Sequence, residues 1–242
     1  MQLLWDVNKH TPVPFPVGYT LIAVDQVKEE PAPATDSHVE SAPKQSAKHN
    51  AAGIDRRSER TVRQQNSVAV NEAIHQLLVR TGHEADGFTL KKHDTGKPYG
   101  LLDGRQVGVG ISHCRSLLIC SLYTDGETGV DVEPCDRTLH PSLYRRICHP
   151  DEYDKVPDEL CGIRLWTVKE AVLKYLGTGL RMAMNKIKLE MVDEFRFRVE
   201  IGPDIITIAS FTFHKHWIAV AFREPQQEQH THPRLDHDGT TP

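Results

Sequence analysis

The 242 residues carry a formal net charge of -4, with 26% charged and 38% hydrophobic side chains, a size that suits one large domain or two small halves. Sixteen glycines without a triplet period exclude a collagen-like chain, and no apolar run approaches the roughly 18 residues a membrane helix needs. Residues 59–224 hold 22 basic against 23 acidic side chains, so no overall basic excess points to nucleic acid.

Nine of the 15 prolines fall in residues 1–58 or 225–242, leaving six for the 166 residues between, which predicts a globular middle between polar flanks. Met1 to Lys9 has no basic stretch followed by an apolar core, and the five cysteines are never spaced as Cys-x-x-Cys. The expectation is a soluble, cytoplasmic chain with free thiols and no secretory signal.

Tyr19 to Val24 alternates as a strand does, after a start punctuated by Pro12, Pro14 and Pro16. Between Lys28 and Ser58 only Val39 and Ile54 offer apolar side chains larger than Ala, proline aside, which predicts a disordered linker over 28–58. Residues 225–242, with His230, His232 and His237 among Gln, Asp and Thr, read as a solvated tail. Ala69, Val70, Ala73, Ile74, Leu77 and Leu78 recur at three and four residues, so a helix runs from about Ser58 to Thr81 with Gly82 as its left-handed cap. Phe88 to Leu90 is a short strand, and Gly96-Lys97-Pro98 sits in a turn. Val107, Val109 and Ile111 predict a strand delivering Ser112 and His113 to its end. Strands at Leu117–Tyr123 and Gly129–Glu133 are joined by Thr124-Asp125-Gly126, a hairpin signal.

Pro141 and Pro150 suit the first turns of short helices, and a long helix from Asp158 or Glu159 to Leu176 is closed by Gly177 and Gly179. Strand patterns resume at Lys186–Met191, Phe195–Ile201, Ile205–Phe213 and Trp217–Phe222. Helix then strands, twice over, predicts an α+β fold in two related halves. The predicted division is an N-terminal strand segment over 1–27 packing on the core, the linker, a first half over 59–112, a second half over 113–224 carrying the metal site, and the tail.

In Gly129-Val130-Asp131-Val132-Glu133 the two carboxylates point to one face of a strand and the valines to the other. Paired oxygen ligands suit a hard cation such as Mg²⁺ completed by phosphate oxygens and water; an amphipathic strand with one wet face gives the same pattern. On the long helix Trp166, Glu170 and Lys174 share a ridge, with Lys169 adjacent. That is the wall of a cleft, or an ordinary surface i,i+4 pair beside a Trp.

In this order, Gly96-Lys97-Pro98, Ile111-Ser112-His113-Cys114, Gly129 to Glu133, and Trp166-x-x-Lys169-Glu170-Ala171-x-x-Lys174 with Gly177-x-Gly179-Leu180 resemble the 4'-phosphopantetheinyl transferase superfamily. The resemblance is to its larger, surfactin-synthetase-activating type, a pseudo-dimeric monomer with two halves related by a pseudo-twofold axis. It covers roughly residues 59–224. It implies Mg²⁺-dependent transfer of the phosphopantetheine arm of coenzyme A to a serine of an acyl or peptidyl carrier protein, releasing 3',5'-ADP, in fatty-acid, polyketide or nonribosomal-peptide synthesis. Matched residue by residue, Asp131, Glu133 and Glu170 would hold Mg²⁺, Glu170 also serving as base for the carrier serine. Lys174 would contact the phosphate that stays on the arm. Lys97, Ser112 and His113 match coenzyme A positions, Lys169 is placed near the same phosphates, and Arg63, or Arg60, is the candidate nucleotide contact. Glu152 matches an acid with a part in proton removal. Arg137, Arg145, Arg146 and Arg164 are expected to supply part of a basic edge for an acidic carrier domain. Two other classes, a non-catalytic binding paralogue and a metal-dependent phosphohydrolase, fit less of this pattern. No nucleic-acid or membrane partner is expected.

Overall fold

The computed structural model describes residues 4–26, 56–152 and 161–224. The predicted tail and all of the predicted linker except Arg56 to Ser58 lie outside the described residues, as do the side chains of Arg60 and Arg63. Eleven strands and three α-helices are described: β1 (Leu4–Asp6), β2 (Tyr19–Asp25), α1 (Arg56–Arg80), β3 (Phe88–Lys92), β4 (Pro98–Leu102), β5 (Arg105–His113), β6 (Leu117–Tyr123), β7 (Thr128–Pro134), α2 (Pro141–Ile147), α3 (Gly162–Leu176), β8 (Glu190–Met191), β9 (Arg196–Ile201), β10 (Asp204–Phe213) and β11 (His216–Phe222).

The strands form two antiparallel sheets, ordered β1-β2-β6-β5-β4-β3 and β7-β11-β10-β9-β8. Leaving β1 aside, both are built the same way: one strand, a helix, then a four-stranded meander whose last strand returns beside the first. Thus β2, α1 and β3 to β6 repeat as β7, α3 and β8 to β11. The sheet boundary falls in the turn between β6 and β7, because β6 pairs with both β2 and β5. The predicted division at 112/113 therefore cuts the end of β5, and the N-terminal segment is an integral part of the first sheet.

Alternation along the strands makes four layers. In β2, Leu21 and Ala23 face the core between the sheets, where Val130, Val132, Phe211, Ile218 and Val220 meet them. Ile22 and Val24 face α1, packing with Ala69, Ala73, Ile74, Leu77 and Leu78. In the second sheet Ile206, Ile208, Ala219 and Ala221 turn outward onto Val168, Ala171 and Val172 of α3. Each such fully buried Leu, Ile or Val contributes about 1.5–3 kcal/mol of hydrophobic free energy. Strands with two buried faces explain why β6 is buried at every residue.

Several elements depart from the sequence reading. Pro98 was expected in a turn but starts β4, paired with Lys92. The turn is His93 to Lys97, closed by Gly96 N–H donating to His93 O, with Gly96 at φ 88°. A proline at the first residue of a strand removes no ladder bond the sheet needs. Of the strand predicted at Lys186–Met191 only Glu190 and Met191 are strand, as β8; Lys186 ends a 3-10 turn and residues 187–189 are irregular. The described part of the long helix begins at Gly162, with Cys161 as its N-cap.

Candidate active site

Strand β7, helix α3 and the end of β5 converge on one side of the molecule, and Gly129 sets how closely. A Cβ at Gly129 would stand 2.2 Å from the Ala171 carbonyl oxygen and 2.3 Å from the Tyr175 nitrogen, so only glycine lets the α3 backbone lie against β7. Every second residue of β5 is likewise turned to β7. A Cβ at Gly110 would meet Val130 Cγ1 at 2.9 Å, and the next residue on that face, Ser112, reaches Asp131. The structure thus joins Ser112, Asp131 and Lys174, residues from three separate motifs. Lys174 Nζ donates to Asp131 Oδ1 at 2.7 Å and to Ser112 Oγ at 2.8 Å, and Ser112 Oγ donates to the same Asp131 oxygen at 2.9 Å. Ser112 and Asp131 are each 5% exposed.

Asp131 Oδ2 is buried without a hydrogen-bond partner among the described residues, an arrangement that costs about 1–3 kcal/mol or more unless something else meets that oxygen. Glu133, two residues along the same strand, pairs with Arg137, whose guanidinium lies over the Trp166 ring 5.5 Å from its centroid. Glu170, one turn before Lys174, has its carboxyl held above the usual carboxylate range by burial and by the negative charge of Asp131 and Glu133, against the pull of Lys174 and Arg137. The three acids share one electrostatic neighbourhood. Among the described residues, however, no three His, Cys, Asp or Glu side chains close into a metal-holding cluster, two of these carboxylates being turned to Lys174 and Arg137. The donor set, hard oxygens with one orphan aimed at no partner, fits a hard divalent cation.

A cleft of about 260 Å³ adjoins this network, lined by Lys97, Gly110, Val130, Lys174 and Gly177 among others. Lys97 Nζ donates to Glu127 Oε2 and to the Tyr175 carbonyl, both at 2.5 Å, over the Tyr175 ring. Glu127 and Tyr175 escaped the sequence reading. Nothing marks a loop glutamate 30 residues from its lysine, although a Tyr directly after Lys174 was visible. Gly177 ends α3 at φ 66° and takes the cleft wall away from the helix axis. His113 is exposed at the end of β5. Arg63 lies in the described backbone of α1, but its side chain is outside the described residues.

Two candidates from the sequence do not reach the cleft. Lys169 is 0% exposed, and its ammonium donates to Glu152 Oε2 at 2.5 Å and to the carbonyls of Ile147 at 2.7 Å and Ile187 at 2.9 Å. Glu152, 7% exposed, is filled by that ammonium and by the backbone N–H groups of His149 and Leu189. Burial holds the Lys169 ammonium below its ordinary range, opposed by Glu152. The adjacency of Lys169 to Glu170 in sequence is what misled: successive helix residues point about 100° apart, and this one points into the core that holds α3 to the 3-10 turns. Arg164, expected on a docking edge, is 9% exposed, sandwiched between the rings of Phe197 and Trp217, and donates to Ser210 Oγ. Arg145 and Arg146 are exposed on α2.

Residues 127–231 match the family model of the 4'-phosphopantetheinyl transferase superfamily, a stretch that holds Asp131, Glu133, Glu170 and Lys174, and the two antiparallel sheets are consistent with its fold. A 4'-phosphopantetheinyl transferase of Bacillus subtilis is 26% identical over 148 residues, covering 54% of this chain. The match spans 62% of that relative's length.

Proposed function

We propose that this chain is a Mg²⁺-dependent 4'-phosphopantetheinyl transferase, taking the phosphopantetheine arm of coenzyme A to a serine of an acyl or peptidyl carrier protein and releasing 3',5'-ADP. The observation that carries the reading is the Ser112–Asp131–Lys174 network, which brings strand, helix and first-sheet motifs to one cleft beside Glu170. The repeated strand–helix–meander order supports the larger, pseudo-dimeric type working as a monomer. Free thiols and the absence, among the described residues, of any helix long and apolar enough to cross a membrane go with a cytoplasmic setting.

Chemically the reaction is phosphoryl transfer: the serine oxygen attacks the phosphorus bearing the arm, and its bond to the departing 3',5'-ADP oxygen breaks. Asp131, Glu133 and Glu170 would hold Mg²⁺, which when bound supplies charge neutralisation to the pyrophosphate. Lys174, on a rigid helix, presents its ammonium where charge develops on the phosphate that is transferred. Lys97 at the cleft wall exchanges Glu127 for a phosphate of the nucleotide end, with Ser112 and His113 flanking it. Glu170 takes the serine proton by position and not by bulk basicity, because a cation beside it would lower its proton affinity. Lys169 and Glu152 keep α3 in place. The exposed Arg145 and Arg146 offer the basic edge for an acidic carrier.

The test is the protein with apo carrier, coenzyme A and Mg²⁺, the carrier weighed by mass spectrometry. Gain of one phosphopantetheine arm supports the reading. Unlabelled carrier with intact coenzyme A leaves only a binder, and coenzyme A consumed without labelling leaves a hydrolase; either refutes it.

A further inference from the structure

The turn after β5 and the first residue of β11 bring a cysteine, a serine and a histidine together. Cys114 Sγ lies 3.9 Å from Ser116 Oγ, which lies 2.8 Å from His216 Nε2. The other ring nitrogen, Nδ1, is 2.6 Å from the His214 carbonyl oxygen. A carbonyl only accepts, so Nδ1 carries the proton and Nε2 faces Ser116 as an acceptor. The hydroxyl can then pass its proton to Nε2 while receiving the thiol proton, leaving a thiolate beside an imidazolium fixed by a backbone carbonyl. This is the order of nucleophile, base and orienting group that activates cysteines elsewhere.

Burial alone would push the Cys114 thiol up, yet hydrogen bonding and charge from His216, with the N–H groups of Ser116 and Leu117, hold it below the ordinary thiol range. His216 is correspondingly held above the ordinary imidazole range by Cys114. Among the described residues, charged or titratable groups near it include Arg115 in the same turn, Asp25 opposite Leu117 on β2, His214 and Lys215 before β11, and Cys135 and Asp136 after β7. Ser116 and His216 line a cavity of about 580 Å³ together with Asp136, His214 and Lys215, so its wall carries a carboxylate beside basic groups. A partly exposed, cationically stabilised thiol is the kind that exchanges with disulfides, whereas buried Cys120, pushed up to about 12, is not.

We propose that Cys114 is a modification site that takes up a small zwitterionic disulfide of the glutathione type. The thiolate sulfur attacks one sulfur of the disulfide, the S–S bond breaks, and a mixed disulfide forms on Cys114. The departing thiolate takes the proton held on His216, so one thiol and one disulfide are consumed and one of each is made, with no net oxidation. Cys114 lies two residues after Ser112, just past the end of β5.

The test uses the full-length reduced protein. Alkylation by iodoacetamide is followed at each cysteine by peptide mass spectrometry at pH 6 and pH 10, with N-acetylcysteine in the same tube; taking the ratio of Cys114 to this free thiol at both pH values cancels the effect of partial burial. The ratio should be about tenfold higher at pH 6 for each unit by which the Cys114 pKa lies under that of the free thiol. His216→Asn should remove this pH dependence of the ratio, and Ser116→Ala, which leaves the histidine in place, serves where the Asn variant does not fold by circular dichroism. Oxidised glutathione should add one glutathione at Cys114, reversed by dithiothreitol. A ratio equal at the two pH values, a ratio unchanged in the folded variant, or glutathione added elsewhere and not at Cys114 overturns the proposal.

Discussion

Glu152→Gln isolates what the buried Lys169–Glu152 pair does. The carboxylate accepts at both oxygens: Leu189 N–H at 2.8 Å on Oε1, and His149 N–H at 2.7 Å plus the Lys169 ammonium at 2.5 Å on Oε2. A glutamine has one oxygen and one NH₂. Whichever way the amide is turned, an N–H group faces another donor, either Leu189 N–H, or His149 N–H and the ammonium together. The neutral amide also leaves the fully buried Lys169 charge without its counterion. Breaking a buried ion pair from one side costs about 3–5 kcal/mol, and the donor clash keeps this substitution at the upper end. Lys169→Met removes the charge but deprives the carbonyls of Ile147 and Ile187 of a donor, so it also destabilises, by about 2–4 kcal/mol.

The double variant has neither an unpaired ammonium nor an unpaired carboxylate, so it should be more stable than the sum of the single losses predicts by at least about 1 kcal/mol. Urea unfolding of the four proteins, followed by circular dichroism, gives the cycle. Carrier labelling measured where each variant is still folded should show a KM for coenzyme A within about twofold of the parent, because Lys169 touches no cleft residue. Additive losses would refute the coupling. A large rise in KM for coenzyme A with little loss of stability would refute the structural role and return Lys169 to the phosphates.

Gly129→Ala drives a methyl into the Ala171 carbonyl and the Tyr175 nitrogen; α3 must back away, costing about 1–3 kcal/mol or more in urea unfolding, and carrier labelling should fall further than the remaining folded fraction accounts for. Glu170 is raised above its ordinary value near 4.5, so between that value and the raised one the folded protein binds more protons than the unfolded. Metal-free stability should therefore decline as pH rises through this window, and Glu170→Gln should flatten the decline in thermal melts across pH 4–8; an unchanged slope would remove the shift. Reversing Arg145 and Arg146 to Glu should raise the KM for carrier about tenfold or more and leave that for coenzyme A unchanged, which equal effects on both would contradict.

Period and punctuation carried most of the fold. The apolar run at Leu117–Tyr123, the strand pattern at Ile205–Phe213 and the three-and-four spacing of Ala69 to Leu78 fall on β6, β10 and α1, because each of these elements buries at least one full face. What failed was local chemistry overridden by pairing. Gly96-Lys97-Pro98 has the composition of a turn, and two of its residues are one, yet Pro98 enters the sheet because its missing N–H falls at a position where β4 has no need of it. Lys186 to Leu189 has apolar residues at alternate positions without a strand, since Ile187 is spent on the core under α3 and its carbonyl on Lys169.

The site shows where one-dimensional spacing stops. Residues 131 and 133 were placed correctly on one face of β7 because a strand has a period of two wherever it sits. Glu170 and Lys174 came out on one ridge for the equivalent helical reason. Lys169 and Arg164 lie on the same helix, and their charge argued for the surface; both are instead buried, which a sequence cannot show, because the partners that make it tolerable are Glu152, 17 residues away, and Ser210 and Trp217 on β10 and β11, more than 40 residues away. A buried charge is written in its partners, and those partners meet only after the second sheet has closed. The same holds for the orphaned oxygen of Asp131: the strand pattern put a carboxylate there, but only the docking of α3 through Gly129 shows that Lys174 meets one of its oxygens and that no described residue meets the other. Asp131→Asn is the direct consequence. Its amide oxygen can still accept from Lys174 and Ser112, so the fold should hold within about 1 kcal/mol, while the amide nitrogen replaces the open oxygen and labelling at any Mg²⁺ concentration should be lost. A folded Asn variant that labels carrier at the parental rate would mean that the orphaned oxygen holds no metal.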